Sequence, residues 1–376
     1  MKLMLVAGEA SGDTLGAALL AELRQKEPQL TAMGVGGVKM RQEGLIAVAD
    51  VNDLSVIGIV EVVRCLPRLI RVFRRLVQLL QQEKPDLLIT IDLPDFNFML
   101  ARRAKAMGIQ VVHYVSPQVW AWRSGRVHSI AASVDHLLAL FPFETACYEG
   151  TGLAVDFVGH PLVEKTALPE SRQVWRSRLG IGDHEKLVAV LPGSRHGEIR
   201  RLLAEMITAC GLLAQDTSLR FILPLADTLK EEDLQPHWPH GEKVKIKILH
   251  GQTYGVLQAA DAAMVASGTA TLETALLGVP MVVAYRVNSW SYWIGRRVIQ
   301  VPWISLVNIV AGRLLVPERI QQEANAQQLA ADVRLLLQDP LLAQTMKEGF
   351  LEIRKKLSPP PLGAADIILR LIHKKI

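Results

Sequence analysis

Cysteine is scarce in this chain: Cys65, Cys147 and Cys210 are odd in number, widely spaced and matched to no metal pattern. A disulfide-built secreted domain is therefore not expected, and a reduced cytosol fits better. Long hydrophobic runs are missing too. Mean hydropathy is high at +0.22, yet no uninterrupted apolar stretch approaches the roughly 18–20 residues a spanning helix needs. The opening MKLMLVAGEASGD has too short an apolar core for a signal peptide and runs straight into a glycine loop. Neither sign of charge dominates. With 42 basic and 37 acidic residues the net is +5, without a basic tail or block; no nucleic-acid partner is indicated, while contact with phosphates or anionic lipid is permitted. HExxH, GxSxG, GxxxxGKS/T and clustered Cys/His patterns are absent, so metallohydrolase, serine hydrolase and P-loop readings lack residues. No metal and no other cofactor is indicated.

What is present is an alternation. Strand-like runs at Leu3–Ala7, Leu87–Ile91, Gln110–Val115, His136–Phe141, Lys186–Leu191, Leu219–Pro224, Val244–Leu249, Ala262–Val265 and Pro280–Ala284 are separated by segments of helical length such as Thr14–Lys26, Phe96–Met107, Glu198–Ala214 and Thr271–Leu277. Continuously apolar strands alternating with helices argue for parallel sheets covered on both faces, an α/β architecture. The best boundary lies in GHPLVEKTALPESRQ at 159–173, after which a second series begins with its own glycine loop. The expected organisation is a first Rossmann-like domain over 1–165, a second over 166–355, and a final helix at 356–376 after three prolines. Two doubly wound halves facing one another make the cleft between them the default site.

Three loops have the composition of phosphate holders. GEASGD (Gly8, Glu9, Ser11, Gly12 and Asp13 among its residues) joins the first strand to the first helix, where small residues let backbone N–H groups approach an anion. It is not GxGxxG, and GVGG at 34–37 does not supply a dinucleotide fingerprint because no convincing helix follows it; Ser11 or Asp13 can equally serve as a cap. LPGSRHGE opens the second half in the same position, with donors at Gly193 and Ser194 and a bidentate charge at Arg195. SGTATLE places Ser267, Gly268, Thr269, Ala270 and Thr271 around a helix start, which suits a diphosphate, and sets Glu273 one turn in, within reach of a ribose diol. Capping of the helix by the same residues is compatible with that.

IDLPDFN sits at the carboxyl end of a parallel strand, where open α/β sheets put their sites. Asp95 could take a proton from a hydroxyl nucleophile or could cap the next helix; His113 and His160 are alternative bases, though a lone histidine more often sits satisfied in a core. The segment Val62–Leu80 gathers Arg64, Arg68, Arg71 and Arg75 on one helical face and Leu66, Leu69, Ile70, Phe73, Leu76, Val77 and Leu80 on the other, with Pro67 at a start or a kink. A helix packed on the sheet needs such a stripe; the absence of any acid from 62 to 82 favours contact with an anionic membrane surface. SWSYWIGRR at 289–297, with Trp303 behind it, is a second candidate interfacial patch.

Taken together, GEASGD, IDLPDFN, HYVSPQVWAWR at 113–123, LPGSR, SGTATLE and VNIVAGRLLVPE at 307–318 resemble the lipid-A-disaccharide synthases, in order and over nearly the whole chain. The resemblance implies a GT-B glycosyltransferase of two Rossmann-like domains, the donor nucleotide in the second and the final helix returning to the first. It implies transfer of 2,3-diacylglucosamine from UDP-2,3-diacylglucosamine to the 6-hydroxyl of 2,3-diacylglucosamine 1-phosphate, giving a β-1,6 disaccharide 1-phosphate and UDP. Inversion in one direct attack needs one base and a stabilised leaving group. By carry-over Asp95 is that base, Arg195 with the SGTATLE loop neutralises the departing UDP, Glu273 holds the ribose, and the GEASGD loop faces the acceptor. The acylated substrates imply a peripheral protein at the cytoplasmic face of the inner membrane, with Arg64, Arg68, Leu69, Arg71, Phe73, Arg75 and Leu76 meeting lipid; a homodimer is left open. The rivals are an epimerase or a lipid-linked muramyl transferase of the same fold, and a membrane-associated nucleotide-binding module without chemistry.

Overall fold

A computed structural model describes residues 1–54, 59–122, 124–288, 292–293 and 301–373, with the side chains of 59–64, 122 and 124 outside the described set. The chain divides into two units, one made of Met1–Pro161 with Pro359–Ile376 and the other of Leu162–Ser358.

Among the described residues the first unit is built on seven strands: β1 Lys2–Ala7, β2 Thr31–Val35, β3 Ile46–Ala49, β4 Leu87–Ile91, β5 Gln110–Tyr114, β6 His136–Ala139 and β7 Ala154–Phe157. All pair in parallel, in the order β3-β2-β1-β4-β5-β6-β7. Helix α1 (Ala10–Lys26), α2 (Val38–Gln42), α3 (Ile59–Glu83) and α4 (Pro94–Ala106) make crossovers. Side chains alternate across the sheet, so Leu3, Leu5 and Ala7 meet α1 on one face, while Met4 and Val6 meet α3 and α4 on the other. The helix Ala364–His373 closes the α1 face, with Ala365 and Ile368 fully buried there. A short helix does follow GVGG: α2 begins directly after Gly37. Its signal was weak because it is only five residues long.

The second unit holds β8 Lys186–Leu191, β9 Leu219–Leu225, β10 Ile246–His250, β11 Ala262–Ala266, β12 Met281–Tyr285 and β13 Glu318–Ile320, again all parallel, in the order β10-β9-β8-β11-β12-β13. Each sheet therefore reverses its winding once, between β1 and β4 in the first and between β8 and β11 in the second. At such a switch point the two flanking crossovers leave on opposite faces, opening a crevice at the carboxyl ends of the central strands.

Candidate functional site

In the first unit the switch point brings GEASGD and IDLPDFN together, because Leu3–Ala7 lies in register with Leu87–Ile91. The Gly8 N–H donates to Ile91 O at 3.3 Å, and a Cβ on Gly8 would stand 2.2 Å from Leu93 Cβ. Only glycine lets these loops touch here. Asp92 and Leu93 then turn through left-handed conformations, φ +56° and +43°. Asn97 Nδ2 secures the turn by donating to Asp92 O at 2.6 Å and Ile91 O at 3.3 Å. Val115, at the end of β5, has φ +79°. Three non-glycine residues with positive φ at neighbouring strand ends store roughly 1–3 kcal/mol each, a pattern found where loops are held for function. The turn delivers Asp95 into the first turn of α4, 74% exposed, with Oδ1 2.5 Å from Arg126 Nη2.

Of the GEASGD residues, Glu9 and Ser11 are exposed and Gly8 and Gly12 are buried. Asp13 departs from the expectation of an acceptor contact. It is buried, and its carboxylate accepts from the N–H groups of Gly37 (2.7 Å), Met40 (3.1 Å) and Lys39 (3.1 Å). It satisfies the otherwise orphaned amides at the start of α2, so its oxygens are engaged inside the fold.

The two histidines are core residues. His113 has no exposed surface, contacts Thr90 Oγ1 through Nδ1 at 2.8 Å and lies against Phe98. Burial pushes its pKa down to about 3, and that of His160, packed on Phe141, down to about 4. In HYVSPQVWAWR, Ser116 pairs with Tyr148 at 3.1 Å, and Trp120 Nε1 donates to Glu144 Oε1 at 3.3 Å. Glu144 also accepts from the Leu140 and Phe141 N–H groups, both at 3.1 Å. Burial still raises its pKa to about 7 against those bonds.

The switch point of the second unit pairs Leu191 with Val265, and so sets LPGSR beside SGTATLE. Thr228 Oγ1 donates to Ser194 O at 2.6 Å, holding the first loop from one side. The Ser194 and Arg195 N–H groups meet Glu198 at the start of the helix His196–Leu213, while the Arg195 side chain is 85% exposed. In the second loop Ser267 Oγ donates to Ile304 O at 3.3 Å. Ile304 and Ser305 are in turn fixed by Glu318, which also binds Asn308 Nδ2 at 2.8 Å. Gly268 and Thr269 are exposed and Ala270 is half-buried. Thr271 departs from the expected ligand contact: it is fully buried, and both its N–H (3.1 Å) and its hydroxyl (2.8 Å) donate to Gly268 O. The hydroxyl of a helix-start threonine meets the turn beneath it before it can meet a ligand. Glu273 is oriented by Tyr254, whose hydroxyl donates to its Oε1 at 2.7 Å.

A cavity of about 270 Å³ lies at these strand ends, lined among others by Arg195, Glu198, Arg201, Ser267, Tyr285 and Arg286. Arg201 and Arg286 were not legible as site residues. Arg286 directly follows β12, which is the signal that could have marked it. Its Nη1 is held by Glu205 Oε1 at 3.0 Å and its Nε by Gln321 O at 3.1 Å.

Helix α3 runs on both sides of Pro67. Arg71 and Arg75 are exposed, but Arg68 Nη2 is tied to Asn52 O at 3.0 Å. Leu76 is not a lipid contact: it is fully buried with Leu80 in the core. Phe73 is half-buried and edge-on to Phe96 at 5.7 Å, and Leu69 packs on the same cluster. The open apolar positions are instead Leu66 at 48% and Ile70 at 42%. The helical wheel puts arginines and aliphatics on separate faces but does not tell which edge of the aliphatic stripe the sheet covers. The Arg64 side chain and most of 289–297 lie outside the described residues; Trp303 is half-buried. Among the described residues no helix is long and apolar enough to cross a membrane.

Solved structures share this arrangement. The UDP-GlcNAc 2-epimerase of Neisseria meningitidis, bound to UDP-GlcNAc, superposes with a TM-score of 0.62 at 15% identity, covering 100% of both chains. MurG of Acinetobacter baumannii gives 0.58 at 15% identity over 99% of each. The fold is thus GT-B, that of glycosyltransferases and sugar-nucleotide epimerases. Sequence narrows the class. The lipid-A-disaccharide synthetase family model matches residues 3–360. The lipid-A-disaccharide synthase of Syntrophus aciditrophicus is 43% identical over 374 residues, 99% of this chain and 98% of that one. That of Geobacter metallireducens is 41% identical over 377 residues, 100% and 98% respectively. The chain belongs to the lipid-A-disaccharide synthase family, and it is a glycosyltransferase of lipid A biosynthesis.

Proposed function

We propose that the chain transfers 2,3-diacylglucosamine from its UDP donor to the 6-hydroxyl of 2,3-diacylglucosamine 1-phosphate, with inversion. The observation that carries the proposal is the exposed Asp95 carboxylate, raised on a strained turn at the first switch point in a chain of this family. Asp95 takes the proton of the 6-hydroxyl as its oxygen bonds to the sugar C1, and the C1–phosphate bond breaks with its electron pair leaving on UDP. Arg195 and the backbone of Gly193, Ser194, Ser267, Gly268, Thr269 and Ala270 take up the growing negative charge. Glu273, oriented by Tyr254, accepts from the ribose hydroxyls. Gly8, Glu9, Ser11 and Gly12 form the acceptor side. That the Neisseria relative of the fold was solved with a UDP-sugar supports a nucleotide-sugar donor.

The acylated substrates are met at the cytoplasmic face of the inner membrane. Arg71 and Arg75 bind anionic headgroups at about 1 kcal/mol each, and Leu66, Ile70 and the flank of Leu69 enter the interface.

The test is UDP release from UDP-2,3-diacylglucosamine in detergent micelles, with and without the acceptor, for the native chain and Asp95→Asn. Release should require the acceptor and fall by about 10²–10⁴-fold in the variant, with UDP affinity held within a few fold. Acceptor-independent turnover would point to an epimerase; full activity in Asp95→Asn would remove Asp95 from the base role.

A further inference from the structure

The diphosphate-holding loop of the second unit already contains an anion, and it belongs to the protein. Glu198 Oε2 accepts from the backbone N–H of Ser194 at 2.9 Å and of Arg195 at 3.3 Å. Gly193 shapes the loop around it: its φ is +119°, and a Cβ there would lie 2.3 Å from Glu198 Oε2. Glu198 Oε1 faces the Arg195 guanidinium at 3.7 Å. The same carboxylate lines the cavity that Arg201, Tyr285 and Arg286 enclose, where burial first and the Glu198 charge second raise the Tyr285 pKa. Thr228 Oγ1 holds the Ser194 carbonyl at 2.6 Å, which tethers the loop backbone, while Glu198 reaches the amides through a side chain with rotatable bonds of its own.

We infer that Glu198 is an intramolecular substitute for phosphate, which the UDP diphosphate must displace, so that it weakens UDP binding and speeds the departure of UDP. The inference rests on the assignment of this loop to the diphosphate. One pair of N–H donors cannot serve a carboxylate and a phosphate oxygen together, and two anions over one helix start repel. In the empty site Glu198 satisfies amides that would otherwise be orphaned. When the diphosphate enters, the carboxylate swings away and Arg195 passes from Glu198 to phosphate. When UDP is left behind, Glu198 competes to return. An affinity reduced by the fraction of sites closed in this way is restored when the competitor is neutralised. A plain helix cap makes the opposite forecast, because its loss disturbs the loop and can only weaken the ligand.

Calorimetric titration of the full chain with UDP and with uridine, for the native protein, Glu198→Gln and Glu198→Ala, separates the two. Glu198→Gln keeps the shape and an acceptor oxygen without the charge; it should bind UDP about five- to tenfold tighter and uridine within twofold of native. Glu198→Ala should also gain UDP affinity although its melting temperature falls with the lost cap. UDP affinity at or below native in both variants would overturn the inference while leaving the nucleotide site in place. A native chain that binds uridine but gains nothing from the diphosphate would overturn the diphosphate assignment itself.

Discussion

Glu144 shows how a single carboxyl can couple the first unit to pH. Burial lifts its pKa from 4.5 to about 7, opposed by hydrogen bonds from Phe141, Trp120 and Leu140. Between those values the folded chain keeps a proton that the unfolded chain has released. Stability therefore falls as pH rises through that window and levels off above 7, by about 3 kcal/mol at most. Glu144→Gln lacks this slope. Denaturant midpoints at pH 5, 6, 7 and 8 should show the native chain losing ground to the variant as pH rises; a gap that does not change with pH would mean that the carboxyl is ionised throughout. At this scale the sequence was ambiguous for a chemical reason. Asp13 and Thr271 have the residue types of ligand contacts and of caps alike, and only the positions of the Gly37, Lys39 and Met40 amides and of Gly268 O decide. Arg201 and Arg286 are far apart in the chain and become neighbours only around the folded cavity.

Helix α3 divides around its circumference, with Leu69 and Val72 on the covered side. Leu76 and Leu80 lie in the core beside Phe98 and Leu100, while Leu66 and Ile70 stay open. Leu76→Ala should destabilise by about 2–5 kcal/mol through lost burial and the space left behind. Leu66→Ser with Ile70→Ser should leave the melting temperature nearly unchanged and reduce sedimentation with anionic vesicles. Undiminished vesicle binding would remove this edge of the helix from the lipid-facing surface. Among strands, the buried central ones were readable because both faces are covered and their residues are mostly apolar, as in Leu87–Ile91, where Thr90 is the single polar residue. The edge strands β3, β7 and β13 were not, although β10, also at an edge, was read at Val244–Leu249. β3 is mostly half-buried, β7 alternates between exposed and half-buried residues, and β13 is three residues long with no buried position. β2, next to the centre, was obscured by a glycine and the polar residue at its start.

The whole molecule is two parallel-sheet units, and the first is assembled from both ends of the chain. Ala365, Ile368 and Ile372 are buried on the α1 face, and Asp366 pairs with Lys26 at 2.5 Å. A chain ending at Ser358 should lose the cooperative melting of the first unit and keep that of the second, measurable as one calorimetric transition instead of two. Two retained transitions would show that the terminal helix is dispensable to the first core. This arrangement also sets an order for synthesis. A ribosome releases residues 1–161 first, yet the core they form lacks one of its walls until the last helix emerges. The segment 162–358 has all its own parts by then. The domain made first is thus completed last, and its half-covered sheet must be kept from other nascent chains while the remainder is translated.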